Sequence, residues 1–243
     1  MGIKLPREKK RNFLLSVIYR LQKIIPVSDK KKLKFFLDLE WIFERLAHEY
    51  SFKNYNEVEH PLRVHTKEFI FKYLKEDYTV LDLGCKYGEI TNAIAEKAKT
   101  AVGIDFDVDA INKAKKNYSK PNLSFEVGEA LSYISSSAIK FDVLILSHIL
   151  EHLDNPLQFL KEHVSHFKLV YIELPDFDKS LLNHYRKQFN NDLIYSDNDH
   201  ISEFDRDELE KLIQNSGLQI LESMHIFGVH KYWCQAQSIE KIN

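Results

Sequence analysis

Cysteine is scarce. The 243-residue chain holds only Cys85 and Cys234, too few for a disulfide framework, so reduced thiols in a cytoplasmic setting are the expectation. Glycine and proline are also few, 7 and 6, which excludes collagen-like and low-complexity classes. No run of about 18 apolar residues occurs, so no membrane-spanning helix is expected. No internal repeat has a solenoid period. Against these absences stands an ordinary globular composition, 44% hydrophobic and 29% charged. That suffices for one large domain or one domain with an appendage.

The net charge is only −2, but it is unevenly spread. Residues 1–34 carry 11 Lys or Arg against 2 Asp or Glu. Such asymmetry marks contact with anionic lipid, nucleic acid or an acidic partner. Within 9–25, the apolar residues Phe13, Leu14, Val17, Ile18, Leu21, Ile24 and Ile25 fall on one stripe of an amphipathic helix. That stripe fits packing on the chain's own domain, and it also fits binding to a surface or a second copy. A signal peptide is not expected, because Arg20 interrupts a short apolar stretch and no small-residue cleavage site follows. Pro26 ends this helix. A second begins at Ser28 or Asp29 and runs to about Tyr50, and a polar connection, 51–61, follows. Residues 1–61 therefore read as a basic helical extension, and 62–243 as the main domain.

From Leu62 onward, helical segments alternate with short apolar runs. Strands are expected at 79–84, 100–105, 122–127, 141–147 and 168–173. Helices are expected at 62–75, 89–98, 108–118, 130–137, 156–166 and 205–216. The runs Phe-Asp-Val-Leu-Ile-Leu-Ser (141–147) and Lys-Leu-Val-Tyr-Ile-Glu-Leu (168–174) are nearly continuous in apolar residues. Strands buried on both faces of a parallel sheet read this way. The pattern predicts a doubly wound, Rossmann-like α/β fold of about seven strands, mostly parallel. Two strand-like runs around Gly228, 218–227 and 231–239, add an antiparallel C-terminal hairpin at one edge, with Cys234 packed in the edge strand.

The chemistry-bearing signal is Val80-Leu-Asp-Leu-Gly-Cys-Lys-Tyr-Gly-Glu-Ile90. A buried strand ends in Gly84, a tight turn follows, and a helix opens near Glu89, which lets a ligand approach the backbone closely. Asp105 ends the next strand, 21 residues past Gly84, where a carboxylate can accept both ribose hydroxyls of an adenosine ligand. A nicotinamide site requires Gly-x-Gly-x-x-Gly, and a phosphate loop requires Gly-Lys-Ser/Thr. Neither pattern is present.

These residues resemble the class I S-adenosylmethionine-dependent methyltransferases, over 62–239, with the small-molecule and glycan-modifying branch nearest. Asp82, Gly84, Lys86 and Gly88 map onto the family's first motif, with Lys86 replacing its middle glycine. A lysine there is expected to keep negative φ or to weaken cofactor binding. Cys85 is expected to present its backbone to the cofactor. Val102-Gly-Ile-Asp-Phe-Asp107 resembles the second-strand motif, which implies Asp105 on the ribose and Phe106 as a wall for the adenine. Val127-Gly-Glu-Ala130 resembles the third, which implies Glu129 and Ala130 at the adenine. The stretch from Phe141 through Ser147 to Leu153 resembles the fourth. The implied cofactor is S-adenosylmethionine, with Ser147 among its contacts.

His148-Ile-Leu-Glu-His152 places three ligating side chains on one helical face. His148 is the first candidate base, and His200, beside Asp199, is the second. No resident metal is expected, although His148, Glu151 and His152 are candidate ligands. In some family members a Glu-x-x-Glu-His run at this place binds a divalent ion. The insert 179–199, with Tyr185 and Arg186, is expected to meet a polar acceptor, Arg186 through a phosphate or carboxylate. The resemblance implies O-methylation of a sugar or phosphosugar of a surface-glycan pathway. A quinol or lipid acceptor, an amine, and a non-catalytic cofactor-binding module remain alternatives. Nucleic acid is not an expected partner, because the main domain is acidic. The basic N-terminal helices leave open a peripheral contact with the inner face of the membrane, or a dimer.

Overall fold

The computed structural model describes residues 12–55, 59–129, 133–134, 140–194, 197 and 199–237. Seven strands form one sheet: β1 (Thr79–Leu83), β2 (Thr100–Asp105), β3 (Leu123–Val127), β4 (Val143–Ser147), β5 (Leu169–Pro175), β6 (Leu218–Ile226) and β7 (Val229–Ala236). Their order is β3-β2-β1-β4-β5-β7-β6. The first five are parallel, and β7 runs antiparallel to both β5 and β6. The expected fold is therefore the observed one, apart from the place of Cys234. β7 lies between β5 and β6, so Cys234 sits in an interior strand and is fully buried.

Alternation explains the continuous apolar runs. Leu81, Leu83, Leu144, Leu146, Val170 and Ile172 face one layer of core, shared with Leu160, Leu209 and Ile213. Val80, Val143, Ile145, Leu169 and Tyr171 face the other, shared with Phe69, Ile70 and Ile94. Both faces are covered by helices, as a parallel sheet requires. The first layer lies under α6 (Pro156–His163) and α8 (Arg206–Asn215). The second lies under α3 (Pro61–Tyr73) and α4 (Glu89–Ile94). The helix α5 (Val108–Asn117) packs against β2 and β3. Of the short helix expected near 130–137, only Tyr133 and Ile134 are described.

The strand order turns back at β1, which pairs with β2 on one side and β4 on the other. In open α/β sheets the crevice beyond the carboxyl ends at such a reversal is where ligands bind. The hairpin is closed by Phe227 and Gly228, both at positive φ (54° and 76°) with Ile226 paired to Val229. This is the two-residue turn whose twist suits antiparallel strands.

Two helices precede α3: α1 (Phe13–Ile24) and the long α2 (Asp29–Asn54). The insert expected as an acceptor loop instead carries a helix, α7 (Leu181–Phe189). Ser180 caps its start by accepting from the Leu182 amide, and Asn190 ends it in the left-handed region. Arg186 does not face an acceptor. It is fully buried, donates to the Leu37 carbonyl (2.8 Å) and to Asn183 Oδ1 (2.8 Å), and pairs with Glu40. The guanidinium therefore ties α2 to α7. Asn191 reinforces the tie by donating to Asp38 (2.9 Å). Helix α1, in contrast, buries none of its side chains, so the packing expected for its apolar stripe is not formed.

The Arg186 tie predicts that Arg186→Ala loosens α2. Urea denaturation should show a loss of about 2–4 kcal/mol, because a buried carbonyl loses its donor and Glu40 its cation. A midpoint indistinguishable from wild type would contradict it.

Candidate active site

At the end of β1 the chain turns sharply through Gly84 (φ 67°), Lys86 (φ 48°) and Gly88 (φ 85°) before α4 begins. A Cβ on Gly88 would lie 2.6 Å from the Phe125 ring, so this position tolerates no side chain. The Gly88 amide closes the turn on the Cys85 carbonyl (2.9 Å), and the Cys85 amide reaches back to Ile104 of β2 (3.0 Å). Lys86 thus takes positive φ, not the negative φ expected of a lysine that keeps the turn. Its amide donates to Asp105 Oδ2 (2.9 Å), which offsets the strain, and its ammonium lies over the exposed Tyr87 ring. The lysine leaves the turn intact.

Asp105 is fixed from both sides, since its other oxygen accepts from the Asp107 amide (2.9 Å). Each oxygen keeps a second lone pair for a ligand hydroxyl. Beyond it Phe106 stands 75% exposed, and Val127 is also open, so an apolar wall meets solvent beside a fixed carboxylate. Glu129 is exposed past β3, and Ser147 is half-buried at the end of β4. Ala130 lies outside the described residues. Beneath the turn, Asp82 is buried and accepts the Thr91 hydroxyl (2.6 Å). Burial, opposed by that hydrogen bond but reinforced by Asp105 and Glu89, pushes its carboxyl up to about 7. Burial also pushes the Cys85 thiol well above its usual range, so it is no nucleophile.

The second half of the site lies at the ends of β4 and β5. His148 adopts positive φ (57°) just past β4, and its amide donates to the Glu173 carbonyl (2.7 Å). Its ring stands between two buried carboxylates: Nδ1 is 3.0 Å from Glu151 Oε1 and Nε2 is 3.9 Å from Glu173 Oε1. Glu173 escaped sequence reading. It accepts from Lys231 (2.8 Å), from Thr66 (3.1 Å) and from the Tyr171 hydroxyl. Burial raises its carboxyl, but the charges of Lys231 and His148 and these hydrogen bonds prevail, holding it below the usual range. The signal available was a glutamate inside an apolar, doubly buried strand, which demands a partner.

His148 opens into a cleft of about 720 Å³ between α2 and the carboxyl ends of the strands, with Trp41, His48, Phe52, His200 and Phe227 among its walls. At the next position, the Ile149 side chain fills the space over Gly84. Tyr185 is half-buried on α7, outside the lining of the cleft.

Two groups of potential metal ligands occur among the described residues, Asp176 with His225 and His230, and a second that only partly matches the candidate set. Glu151, His152 and His200, not His148, bring ligand atoms within 4.8 Å of one another. Glu151 is fully buried, and its Oε2 has no hydrogen-bond partner among the described residues. The His152 and His200 rings meet edge to face, and His200 Nδ1 is 3.0 Å from Glu203. Burial lowers the His200 pKa, but Glu203 outweighs it and the net shift is upward.

A family model described as a methyltransferase domain matches residues 55–223. The ubiquinone biosynthesis O-methyltransferase of Actinobacillus pleuropneumoniae is 30% identical over 88 residues, 34% of this chain and 38% of that protein. Its namesake in Haemophilus ducreyi is 27% identical over 136 residues, 49% of this chain and 54% of that protein. The chain thus spans well under two thirds of the curated relatives it matches. The structure is similar to magnesium protoporphyrin IX methyltransferase from Synechocystis, solved with bound SAH, at a TM-score of 0.55 and 14% identity, covering 80% of this chain and 94% of that one. The chain belongs to the class I S-adenosylmethionine-dependent methyltransferase family.

Two predictions follow from the turn. Lys86→Gly should keep the affinity for S-adenosylhomocysteine in calorimetry and change stability by at most about 1 kcal/mol, because relief of left-handed strain is partly offset by a freer unfolded chain. A marked loss of affinity would instead make the lysine side chain a ligand contact. Asp82 sets a pH dependence. Its folded value of about 7 lies above the unfolded 3.8, so its favourable contribution is complete below the unfolded value and is lost as pH rises toward 7. Asp82→Asn should therefore melt above wild type at pH 8, with an advantage that shrinks toward pH 4 by no more than about 1.4 kcal/mol per pH unit. A pH-independent difference would refute the shift.

Proposed function

We propose that the protein transfers a methyl group from S-adenosylmethionine to a hydroxyl oxygen of an acceptor seated in the cleft beneath α2. The observation that carries this reading is His148, held between Glu151 and Glu173 just past β4 in the lining of the cleft. When bound, the sulfonium cofactor supplies a methyl group that is already electrophilic. In this reading Asp105 holds the ribose hydroxyls, Phe106 walls the adenine and Glu129 meets the adenine edge. The backbone of the Gly84–Gly88 turn admits the ligand closely. His148 donates its Nδ1–H to Glu151 Oε1, which leaves Nε2 as the basic nitrogen. Nε2 removes the acceptor's hydroxyl proton, and the anionic Glu173 stabilises the imidazolium that results. Lys231, buried beyond it, keeps Glu173 ionised. The cleft orients the acceptor and excludes water.

The walls of the cleft favour a hydroxyl carried on a flat apolar body, of the quinol or phenol kind. Trp41, Phe52, Leu62 and Phe227 supply that surface, and the named relatives are O-methyltransferases of ubiquinone biosynthesis. Arg186, the cation expected to meet a sugar phosphate, is a structural tie instead, while Arg45, Arg63 and Lys179 stand in the lining of the cleft. A second reading has its own observation: the unpartnered Glu151 Oε2 beside His152 and His200. These three residues would hold a divalent cation, whose chemistry there is to lower the pKa of an acceptor hydroxyl.

The test is transfer of labelled methyl to a panel of catechols, sugars and sugar phosphates, with and without chelator. His148→Asn suits the left-handed backbone and should lower kcat by about 10²–10⁴ while leaving cofactor affinity unchanged. Unaltered kcat would remove His148 as the base, and loss of activity in chelator alone would favour the cation. Tight S-adenosylhomocysteine binding without turnover on any acceptor would make the chain a binding module.

A further inference from the structure

The outward surface of the two N-terminal helices is unclaimed by anything described so far. On α1, Phe13, Leu14, Ile18, Leu21 and Ile24 are exposed, and with Val17 they occupy one continuous stripe. Ser16, Arg20 and Lys23 occupy the other side. A free helix of this length would not hold such a stripe in water for its own sake, since apolar faces in stable proteins are covered.

Helix α2 continues the pattern. Phe35, Ile42, Phe43, Leu46 and Tyr50 are exposed, and their spacing sets them on one face. The opposite face is turned inward by named contacts: Leu37 and Glu40 to Arg186, Glu44 to Lys179, and Arg45 to Asp197. That inner face also lines the cleft through Trp41 and His48. One helix therefore has a cleft on one side and a bare apolar stripe on the other.

Charge decides what covers the stripe. Residues 12–34, which the structure describes, hold 6 basic side chains against 1 acidic one. Two copies meeting through this surface would bring like charge together, whereas an anionic lipid surface complements it and accepts the apolar side chains. We propose that α1 and the outer face of α2 dock the protein on anionic membrane, with the cleft opening beside the lipid interface. The docking stands on these helices alone; its value for delivering an amphipathic acceptor rests on the reading of the cleft given above.

The test is co-sedimentation of the full chain with vesicles of phosphatidylcholine, alone or mixed with phosphatidylglycerol. S-Adenosylhomocysteine binding is measured on the same samples, so failure of the cofactor site shows separately. Wild type should partition about tenfold or more better onto the mixed vesicles, and raised salt should release it. Leu14→Asp combined with Ile18→Asp should abolish sedimentation and leave S-adenosylhomocysteine binding intact, because both side chains are exposed. Absence of sedimentation by wild type, or equal binding to both vesicles, overturns the proposal. A wild-type dimer that ignores vesicles and falls to monomer in the double variant assigns the stripe to a second copy instead.

Discussion

Parallel strands buried on both faces can be joined only by crossovers that return over the sheet, and the reversal of strand order at β1 makes two such crossovers depart in opposite directions. Val80 pairs with Ala101 on one side and Val143 on the other, and all three are inaccessible to solvent. The exits of β1 and β4 are therefore held side by side and must leave the sheet at once. Both do so through left-handed residues, Gly84 and His148. The fixed carboxylate of Asp105, the space over Gly84 filled by Ile149 and the placement of the His148 ring all descend from that single constraint.

What could be read from the sequence was what is local. Strands, crossover helices and the glycine turn each announce themselves within a dozen residues through burial periodicity or punctuation. The limits of the first five strands moved by at most two residues, and at the starts of β4 and β5 Asp142 and Lys168 end the buried runs by pairing with each other. What escaped was set by distance in the chain. Arg186 looks like any surface arginine until Leu37 and Glu40, about 150 positions earlier, close on it. Glu173 reads as a blemish in an apolar run until Lys231 and Thr66 reach it. His200 joins Glu151 and His152 only because the amides of Ile201 and Ser202 bind the Glu151 carbonyl. The order of these pairings is a property of packing, not of pattern.

The same functional group is driven to opposite states within one site. Asp82 has a hydroxyl and two neighbouring carboxylates for company, and it holds its proton to about 7. Glu173 has a buried ammonium, and it stays ionised below the usual range. Burial alone would have raised both. An acid that keeps its proton to about 7 under the turn and an anion beside His148 divide the crevice electrically.

The tie between α2 and α7 also bears on how the chain is born. Arg186 follows Leu37 by 149 residues, so at ordinary elongation rates roughly 10–30 s separate their synthesis. During that interval the first helices emerge without the α7 anchor that Arg186 and Asn191 supply, although Phe52 already meets His60 and Arg63. A nascent chain in that condition meets its surroundings before it meets that anchor. The anchor that finally seats α2 arrives late, which makes the order of translation, as well as the finished fold, a determinant of where these helices first come to rest.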